Sequence, residues 1–479
     1  MVRHLAELSH TNAQSKRVYL KKIMEANPEI FKAYDIRGKV QEEINAEVGY
    51  LVGRAFPELL RRRYGISVPR IILSRDVRLS SPEIANRTLS GLLDGGAEVI
   101  DAGITTTPMH YWIVGRDQAD GGIMVTASHN PKEYNGFKLS GRGVEPLGAE
   151  NGFDELKRLI TEGMTRIGER GNVIERDHLR DYISFLTGHD FVFAPLKVVV
   201  DASSGSAGRA LEKIFEHYSS LKIIPLGFRP DGHFPDHDPN PLKVEVINQL
   251  AAVVREEQAD LGVIFDGDGD RMVCLDERGH HIRGDILIAL IASRILTKWP
   301  GETVVWGIPS SRAVREIIQE RGGQAIAAKE GHFFIKRAMR DANAIFGGEY
   351  SGHYYFRETF FAENAMLAML YVIELRSRGQ RPLSQIVSPF VRSVLSEELN
   401  FPFPGPGAWD EFENKVARTF PEAGSDRTDG LTLETKEWRF NLRPSNTEPL
   451  LRLNAEAHNA ATLQRLIDQL SSLIQSAYH

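Results

Sequence analysis

Short apolar runs alternate with longer stretches whose apolar positions recur at helical spacing, the pattern that predicts α/β units. Three stretches share the order strand, helix, strand, helix, strand. In the first, Arg70-Ile71-Ile72-Leu73 predicts a strand and Ser81-Pro82-Glu83 opens a helix, with Pro just inside a capping serine. That helix stops at Gly95-Gly96, residues 97–100 form the next strand, and Gly122-Ile123-Met124-Val125 leads into Ser128. The second stretch starts at Leu196-Lys197-Val198-Val199-Val200, resumes at Leu221-Lys222-Ile223-Ile224 and ends with Leu261-Gly262-Val263-Ile264-Phe265 against Asp266. The third runs from Thr303-Val304-Val305-Trp306 through Gln324-Ala325-Ile326 to Ala344-Ile345-Phe346, against Gly347-Gly348-Glu349.

Each last strand thus meets a loop rich in glycine, hydroxyl or carboxylate groups, and loops beyond strand ends are where α/β proteins build their sites. After about Pro389 the prolines and glycines of residues 401–407 mark a change of domain, and a smaller α+β unit closes with a helix over 460–474. The expected division is an extension over 1–26 and four domains over 27–176, 177–280, 281–392 and 393–479. The first 22 residues or so lack an apolar face and read as a frayed extension, with Met24 a candidate alternative start.

A length of 479 residues exceeds what one core usually serves, in keeping with several domains. Apolar residues make up 42% and charged residues 25%, which places the chain among globular proteins and away from disordered or fibrous ones. No apolar run is long enough to predict a membrane span. The formal net charge of -6 gives no overall attraction to nucleic acid or membrane, so an anionic substrate must be held by local clusters. One cysteine, Cys274, excludes an internal disulfide, and with no secretory apolar segment visible a reducing cytoplasm is expected.

Candidate chemistry concentrates in six short runs. Asp266-Gly267-Asp268-Gly269-Asp270-Arg271 sets three carboxylates two residues apart, with glycines that let the backbone fold around one cation; hard oxygen donors suit Mg²⁺. An EF-hand is the rival, since Glu277 falls at the twelfth position, but Arg271 stands at the sixth and a strand precedes the loop. A solvated acidic turn is the other alternative. Thr126-Ala127-Ser128-His129-Asn130-Pro131 ends a strand with a hydroxyl beside an imidazole, and Asn-Pro enforces a turn. Alone it fits a hydroxyl-capped turn as well as a nucleophile, because a serine needs a base or metal to act. Lys138 could neutralise phosphoryl oxygens or merely be solvated. Arg443-Pro444-Ser445-Asn446-Thr447-Glu448-Pro449 gathers donors suited to a phosphate dianion, or makes a plain turn. Glu349-Tyr350-Ser351-Gly352-His353 offers groups for sugar hydroxyls and a histidine that either moves protons or is structural. Lys329-Glu330-Gly331-His332 opens the helix before that loop, and Tyr34-Asp35-Ile36-Arg37-Gly38 adds an arginine that can face the serine.

Together the runs at 34–38, 126–131, 266–271, 348–353 and 443–449, in this order along the chain, resemble the α-D-phosphohexomutase superfamily over nearly the whole chain after Asn27. The resemblance implies three related α/β domains with mixed sheets, plus a C-terminal α+β domain like TATA-binding protein, around a central cleft. It implies Ser128 as a phosphoserine, with Asp266, Asp268 and Asp270 holding Mg²⁺ together with the serine phosphate. Arg271, His129, Lys138, Tyr34 and Arg37 would surround the transferred phosphoryl group. Glu349 and Ser351 would contact sugar hydroxyls, with Lys329 and His332 beside them. Arg443, Ser445, Asn446 and Thr447 would grip the phosphate that is not reacting. His353, Lys138 and His129 are the candidates for proton transfer. The implied reaction interconverts hexose 1- and 6-phosphates, of mannose or glucose, through a 1,6-bisphosphate, with glucose 1,6-bisphosphate as activator.

The partners expected are small sugar phosphates, with no nucleic acid or membrane, and the protein a monomer or dimer. Two positions depart from the family pattern: Pro309 stands where relatives commonly have lysine, and Glu330 where they favour Thr or an apolar residue. A phosphoglucosamine mutase is the rival within the class, although it usually has Ala at Gly269 and Gln at Tyr350. A Mg²⁺-dependent phosphatase and a non-catalytic sugar-phosphate or calcium-binding protein are more distant alternatives.

Overall fold

The computed structural model describes residues 28–162, 169–403, 406–445 and 449–478. The expected extension over 1–26 and Met24 lie outside them. The first sheet has six strands in the order Ile36–Lys39, Tyr134–Gly141, Gly121–Val125, Arg70–Arg75, Glu98–Ile104, Asn172–Glu175. The last four are parallel, Tyr134–Gly141 runs antiparallel to them, and Ile36–Lys39 runs antiparallel to Tyr134–Gly141. The second sheet repeats the plan: Leu221–Leu226, Leu196–Asp201 and Leu261–Phe265 are parallel, followed by antiparallel Met272–Asp276 and His281–Ile282. So does the third, with Gln324–Ala328, Thr303–Gly307 and Phe346–Gly348 parallel and Tyr354–Phe356 and Ala362–Glu363 antiparallel.

The repeat has one consequence for chemistry. In each sheet the last parallel strand turns back into an antiparallel partner, pairing Val125 with Phe137, Phe265 with Met272, and Gly348 with Tyr354. The three loops singled out above are these three turns. The returning strands are as buried as the ones they follow: every residue of Met272–Asp276 and Tyr354–Phe356 is buried. The turns therefore sit on rigid supports.

One apolar core runs through the first three units, with the helices Gly284–Lys298 and Ala365–Gly379 buried on nearly all sides within it. The fourth unit has its own core. Its antiparallel sheet is ordered Val394–Leu395, Leu450–Ala457, Trp438–Pro444, Leu431–Glu434, Gly424–Asp426, with Leu399–Pro402 also paired to Leu450–Ala457. The helices Trp409–Thr419 and Ala460–Tyr478 complete it.

Local expectations need four adjustments. Ser81 does not cap its helix; Ser80 takes that place without a side-chain bond, and the Ser81 hydroxyl donates to Asp76 at 2.5 Å. The strand expected at 97–100 is Glu98–Ile104, and that expected at 344–346 is Phe346–Gly348, because pairing with neighbours extends or shifts each run. The final helix continues to Tyr478. No helix among the described residues is long and apolar enough to cross a membrane.

Candidate active site

Ser128 sits in the turn between Gly121–Val125 and Tyr134–Gly141 with φ of 51°, in the left-handed region that a serine adopts only when its surroundings fix it. Part of what fixes it is local: the Ser128 N–H donates to Thr126 Oγ1 at 2.9 Å, so Thr126 makes the hydroxyl-capped turn and leaves the Ser128 hydroxyl for other work. The rest comes from Arg78, a side chain wholly buried behind the loop. Its Nη1 donates to the carbonyls of Pro131 and Tyr134 at 2.7 and 3.1 Å, and its Nη2 to those of Ser128 and Asn130 at 2.7 and 2.6 Å. Asp76 accepts from Arg78 Nε at 3.1 Å and compensates the buried cation. The Ser128 hydroxyl donates to Asp266 Oδ2 at 2.9 Å and lies 3.2 Å from His129 Nδ1.

Asp266, Asp268 and Asp270 are fully buried, and one oxygen from each lies within 4.8 Å of the others. Two backbone N–H groups, of Asp270 and Arg271, donate to Asp266 Oδ1 at 3.0 and 3.1 Å. Thr107 and Thr126 hydroxyls donate to Asp268 Oδ2 at 2.6 and 3.2 Å, tying the second unit to the first. Gly267 allows the approach, since a Cβ there would stand 2.9 Å from the Ser128 carbonyl oxygen. Burial, then Asp270 and Asp268, push the Asp266 carboxyl well above the usual carboxylate range. Burial also disfavours ionised Asp270, but Lys138, bonded to its Oδ2, and His353 outweigh that and hold it well below. Asp268 Oδ1 and Asp270 Oδ1 are buried without a hydrogen-bond partner. Crowded carboxylates with orphaned oxygens, and no nitrogen or sulfur donor among them, fit a hard divalent cation such as Mg²⁺. The EF-hand alternative does not fit: Glu277 accepts from Ser384 Oγ and N–H at 2.5 and 3.1 Å, away from the three aspartates.

On the third turn, Glu349 is buried and accepts from the Gly331 N–H at 2.6 Å and the Tyr355 hydroxyl at 2.8 Å. His353 bridges this turn to the aspartates, with Nδ1 3.0 Å from Glu349 and Nε2 3.4 Å from Asp270. Burial and Arg271 lower its affinity for a proton, yet Asp270 and Glu349 prevail and raise it to about 9, so this imidazole is cationic at neutral pH. His129 is the opposite case: desolvation, Arg271 and Arg37 hold it well below the usual range, and it is neutral. Ser351 Oγ lies 3.0 Å from His353 Nδ1 and 3.3 Å from Glu349. His332, buried and neutral, sets its ring 4.6 Å from that of Tyr34. Lys329 is exposed with its ammonium over the Phe334 ring.

Arg37 reaches the serine loop through Asn130, donating at 2.5 Å, and pairs with Asp35. Its buried Nε has no partner, nor does that of Arg271. In the fourth unit, Arg443 donates to Glu398 at 3.2 Å and approaches Asp429 at 3.9 Å. The Ser445 N–H donates to the Leu450 carbonyl at 2.8 Å, while Asn446 and Thr447 lie outside the described residues. A separate cavity of about 950 Å³, lined by Trp306, Arg312, Glu434 and Arg439 among others, contains none of these candidates.

The turns thus bring Ser128, His129, Lys138, the three aspartates, His353, Glu349 and Ser351 into one polar cluster. The sequence reading missed Arg78, Asp76, Thr107 and Thr126. The one available signal was the pair of charges in Asp76-Val77-Arg78 directly after a strand of apolar residues.

Models of the phosphoglucomutase/phosphomannomutase family match the chain in four consecutive parts: alpha/beta/alpha domains I, II and III over residues 28–165, 180–279 and 283–393, and the C-terminal domain over 398–473. A phosphomannomutase of Escherichia coli is 35% identical over 460 residues, 93% of this chain and 99% of that one. A phosphoglucomutase of Neisseria gonorrhoeae is 33% identical over 94% of this chain and 98% of its own length. Among solved structures, a phosphoglucomutase/phosphomannomutase family protein of Burkholderia thailandensis superposes with a TM-score of 0.85 at 30% identity, covering 94% of this chain and 97% of that one.

Proposed function

The chain belongs to the α-D-phosphohexomutase superfamily, and from that premise we propose that it interconverts the 1- and 6-phosphates of mannose and glucose, with Ser128 carrying the phosphoryl group. The chemistry of the superfamily is reversible hexose-phosphate mutation through a phosphoserine and a bisphosphate intermediate. One observation carries the assignment of roles: the Ser128 hydroxyl points at Asp266 within a buried cluster of three aspartates, 2.9 Å from its carboxylate.

In the first half-reaction the bond between phosphorus and Ser128 Oγ breaks as a bond forms to the free hydroxyl of a hexose monophosphate. The sugar hydroxyl's proton passes to His129, and the imidazole then returns one to Ser128 Oγ as it departs, so the proton count is unchanged. His129, neutral and 3.2 Å from that oxygen, is placed to hold the proton there. The second half-reaction reverses the first at the other end of the sugar. Mg²⁺ held by the three aspartates and Ser128 would supply electrostatic stabilisation of the transferred phosphoryl oxygens. Lys138, Arg271 and Arg37 add fixed positive charge around the same volume, which a loose phosphoryl transition state needs more than covalent help. Glu349 and Ser351 bind sugar hydroxyls, and Arg443 grips the distal phosphate, with a guanidinium fork that accepts a dianion from either end of the sugar. Glucose 1,6-bisphosphate activates by phosphorylating Ser128. The names of the relatives and Tyr350 in the sugar turn support mannose and glucose as the sugars.

A coupled assay with glucose 1-phosphate, mannose 1-phosphate and glucosamine 1-phosphate, primed with glucose 1,6-bisphosphate, tests the proposal. Conversion of the first two to their 6-phosphates is expected. Preference for the third would point to a phosphoglucosamine mutase, and net release of inorganic phosphate to a phosphatase.

A further inference from the structure

Glu330 lies on the loop between the strand Gln324–Ala328 and the helix His332–Asp341, one residue before the glycine whose N–H binds Glu349. Its Oε2 is buried and has no hydrogen-bond partner. The carboxyl occupies the space that a side chain at Gly307 would need, since a Cβ there would stand 2.9 Å from Oε2. The Glu330 N–H is engaged separately, donating to Asp429 Oδ2 at 3.3 Å. Glu330 therefore stands at the end of the third sheet between the sugar turn and the phosphate clamp.

Building on the mutase reading, we propose that Glu330 meets the substrate as an uncharged acid that donates a hydrogen bond to a sugar hydroxyl, a specificity-determining contact.

The charges around it leave little alternative. From the sugar turn Glu349 and His353 face it, and from the fourth unit Asp429 and Arg443; Tyr34 stands across from it. His353 is committed to Glu349 and Asp270. Arg443 donates through Nη2 to Glu398, while its Nη1, 3.9 Å from Asp429, has no hydrogen-bond partner among the described residues and is the group assigned to the phosphate. Two buried carboxyls at one site do not both ionise readily. Glu349 has the donors, two hydrogen bonds and an imidazolium, that keep it charged below its usual range. Glu330 has none of these; burial and then Glu349 push it up to about 8. At neutral pH it is an acid whose buried Oε2 has no hydrogen-bond partner among the described residues, beside the turn to which we assign the sugar hydroxyls. Above its pKa it becomes a carboxylate beside the phosphate dianion, so binding weakens as pH rises; an anionic ligand at neutral pH strengthens the protonated form.

The test is the KM for glucose 1-phosphate from pH 7 to pH 9.5, for the wild type and Glu330→Gln. A sugar phosphate is already dianionic across this range, its second pKa being about 6. The wild-type KM is expected to rise roughly tenfold per pH unit above the transition, as one ionisation dictates, with kcat little changed. Glu330→Gln, an amide that donates at every pH, should flatten that rise. At pH 7, Glu330→Ala should lose about tenfold in kcat/KM, the worth of one hydrogen bond, and the glutamine variant should recover most of it. A flat wild-type profile, or the same alkaline rise in Glu330→Gln, would overturn the proposal. If no hexose 1-phosphate turns over, the mutase reading fails instead, and the same pH comparison by calorimetric binding of glucose 1-phosphate decides the role of Glu330.

Discussion

Ser128 keeps a left-handed backbone and a hydroxyl that takes no part in the turn because other residues absorb the turn's demands, Thr126 from within and Arg78 from behind. This separates the effects of two substitutions. Ser128→Ala should reduce turnover to background while calorimetric binding of glucose 1-phosphate persists; the wild type, after incubation with glucose 1,6-bisphosphate, should carry the mass of one phosphoryl group on the peptide containing Ser128. Full activity in a clean Ser128→Ala preparation would end the phosphoserine assignment. Arg78→Met should instead lower global stability. It leaves four carbonyls and a buried Asp76 without their cation, and breaking a buried pair in this way costs about 3–5 kcal/mol. Arg78→Lys should recover little, since an ammonium cannot span the carbonyls that a planar fork reaches. Urea melts of the two variants check both claims.

At the scale of elements, the functional unit is the turn that reverses each sheet from parallel to antiparallel, and two of these turns meet at Gly267. Gly267→Ala would drive a Cβ to 2.9 Å from the Ser128 carbonyl and 3.3 Å from Pro239, pushing the metal-loop and serine-loop turns apart. Overpacking of this kind typically costs about 1–3 kcal/mol. Because the displacement falls between reacting groups, kcat should drop by at least about tenfold while KM changes less, as steady-state kinetics beside thermal melts will show. Nearly all the parallel strands were legible in the sequence because each is an apolar run flanked by Gly, Pro or Asp; Asn172–Glu175, a short exposed strand at the sheet edge, was not. The returning strands Tyr134–Gly141, Met272–Asp276 and Tyr354–Phe356 were not: each follows a loop whose chemistry draws the eye, and the second carries Cys274 and Asp276 within its apolar run. The residues of the cluster could be named from their motifs, since hydroxyls, carboxylates and imidazoles announce themselves. Arg78 could not, because its partners are backbone carbonyls some fifty residues away, which no side-chain pattern encodes.

Over the whole molecule, the fourth unit, to which we assign the phosphate clamp, is pinned to the third by the buried Glu456 and Arg439 and by Arg312 and Arg315, which reach the Thr435 carbonyl and Glu434. Glu456 accepts from Ser311 Oγ, Ser393 Oγ and the Arg312 N–H at 2.6, 2.7 and 2.8 Å, while Arg439 reaches back to the carbonyls of Ile308 and Ser310 at 2.6 and 3.1 Å. Arg443 is thereby supported from the sugar-recognition unit rather than from the unit that bears Ser128. That division suits a mutase. The bisphosphate must let go of Ser128 and turn end for end, yet remain with the protein throughout, so the grip on the distal phosphate must be independent of the reacting end. Removing that grip should harm retention more than chemistry. Arg443→Ala is expected to raise KM by at least about tenfold, since a charged hydrogen-bonding partner of a dianion is lost. It should also increase the amount of hexose 1,6-bisphosphate released per turnover, measured by quenching and separating the phosphates. Loss of kcat with an unchanged ratio of released bisphosphate to product would place Arg443 in the transfer step and remove the clamp from the mechanism. A hydrolase, with no intermediate to retain, has no reason to show the leak at all.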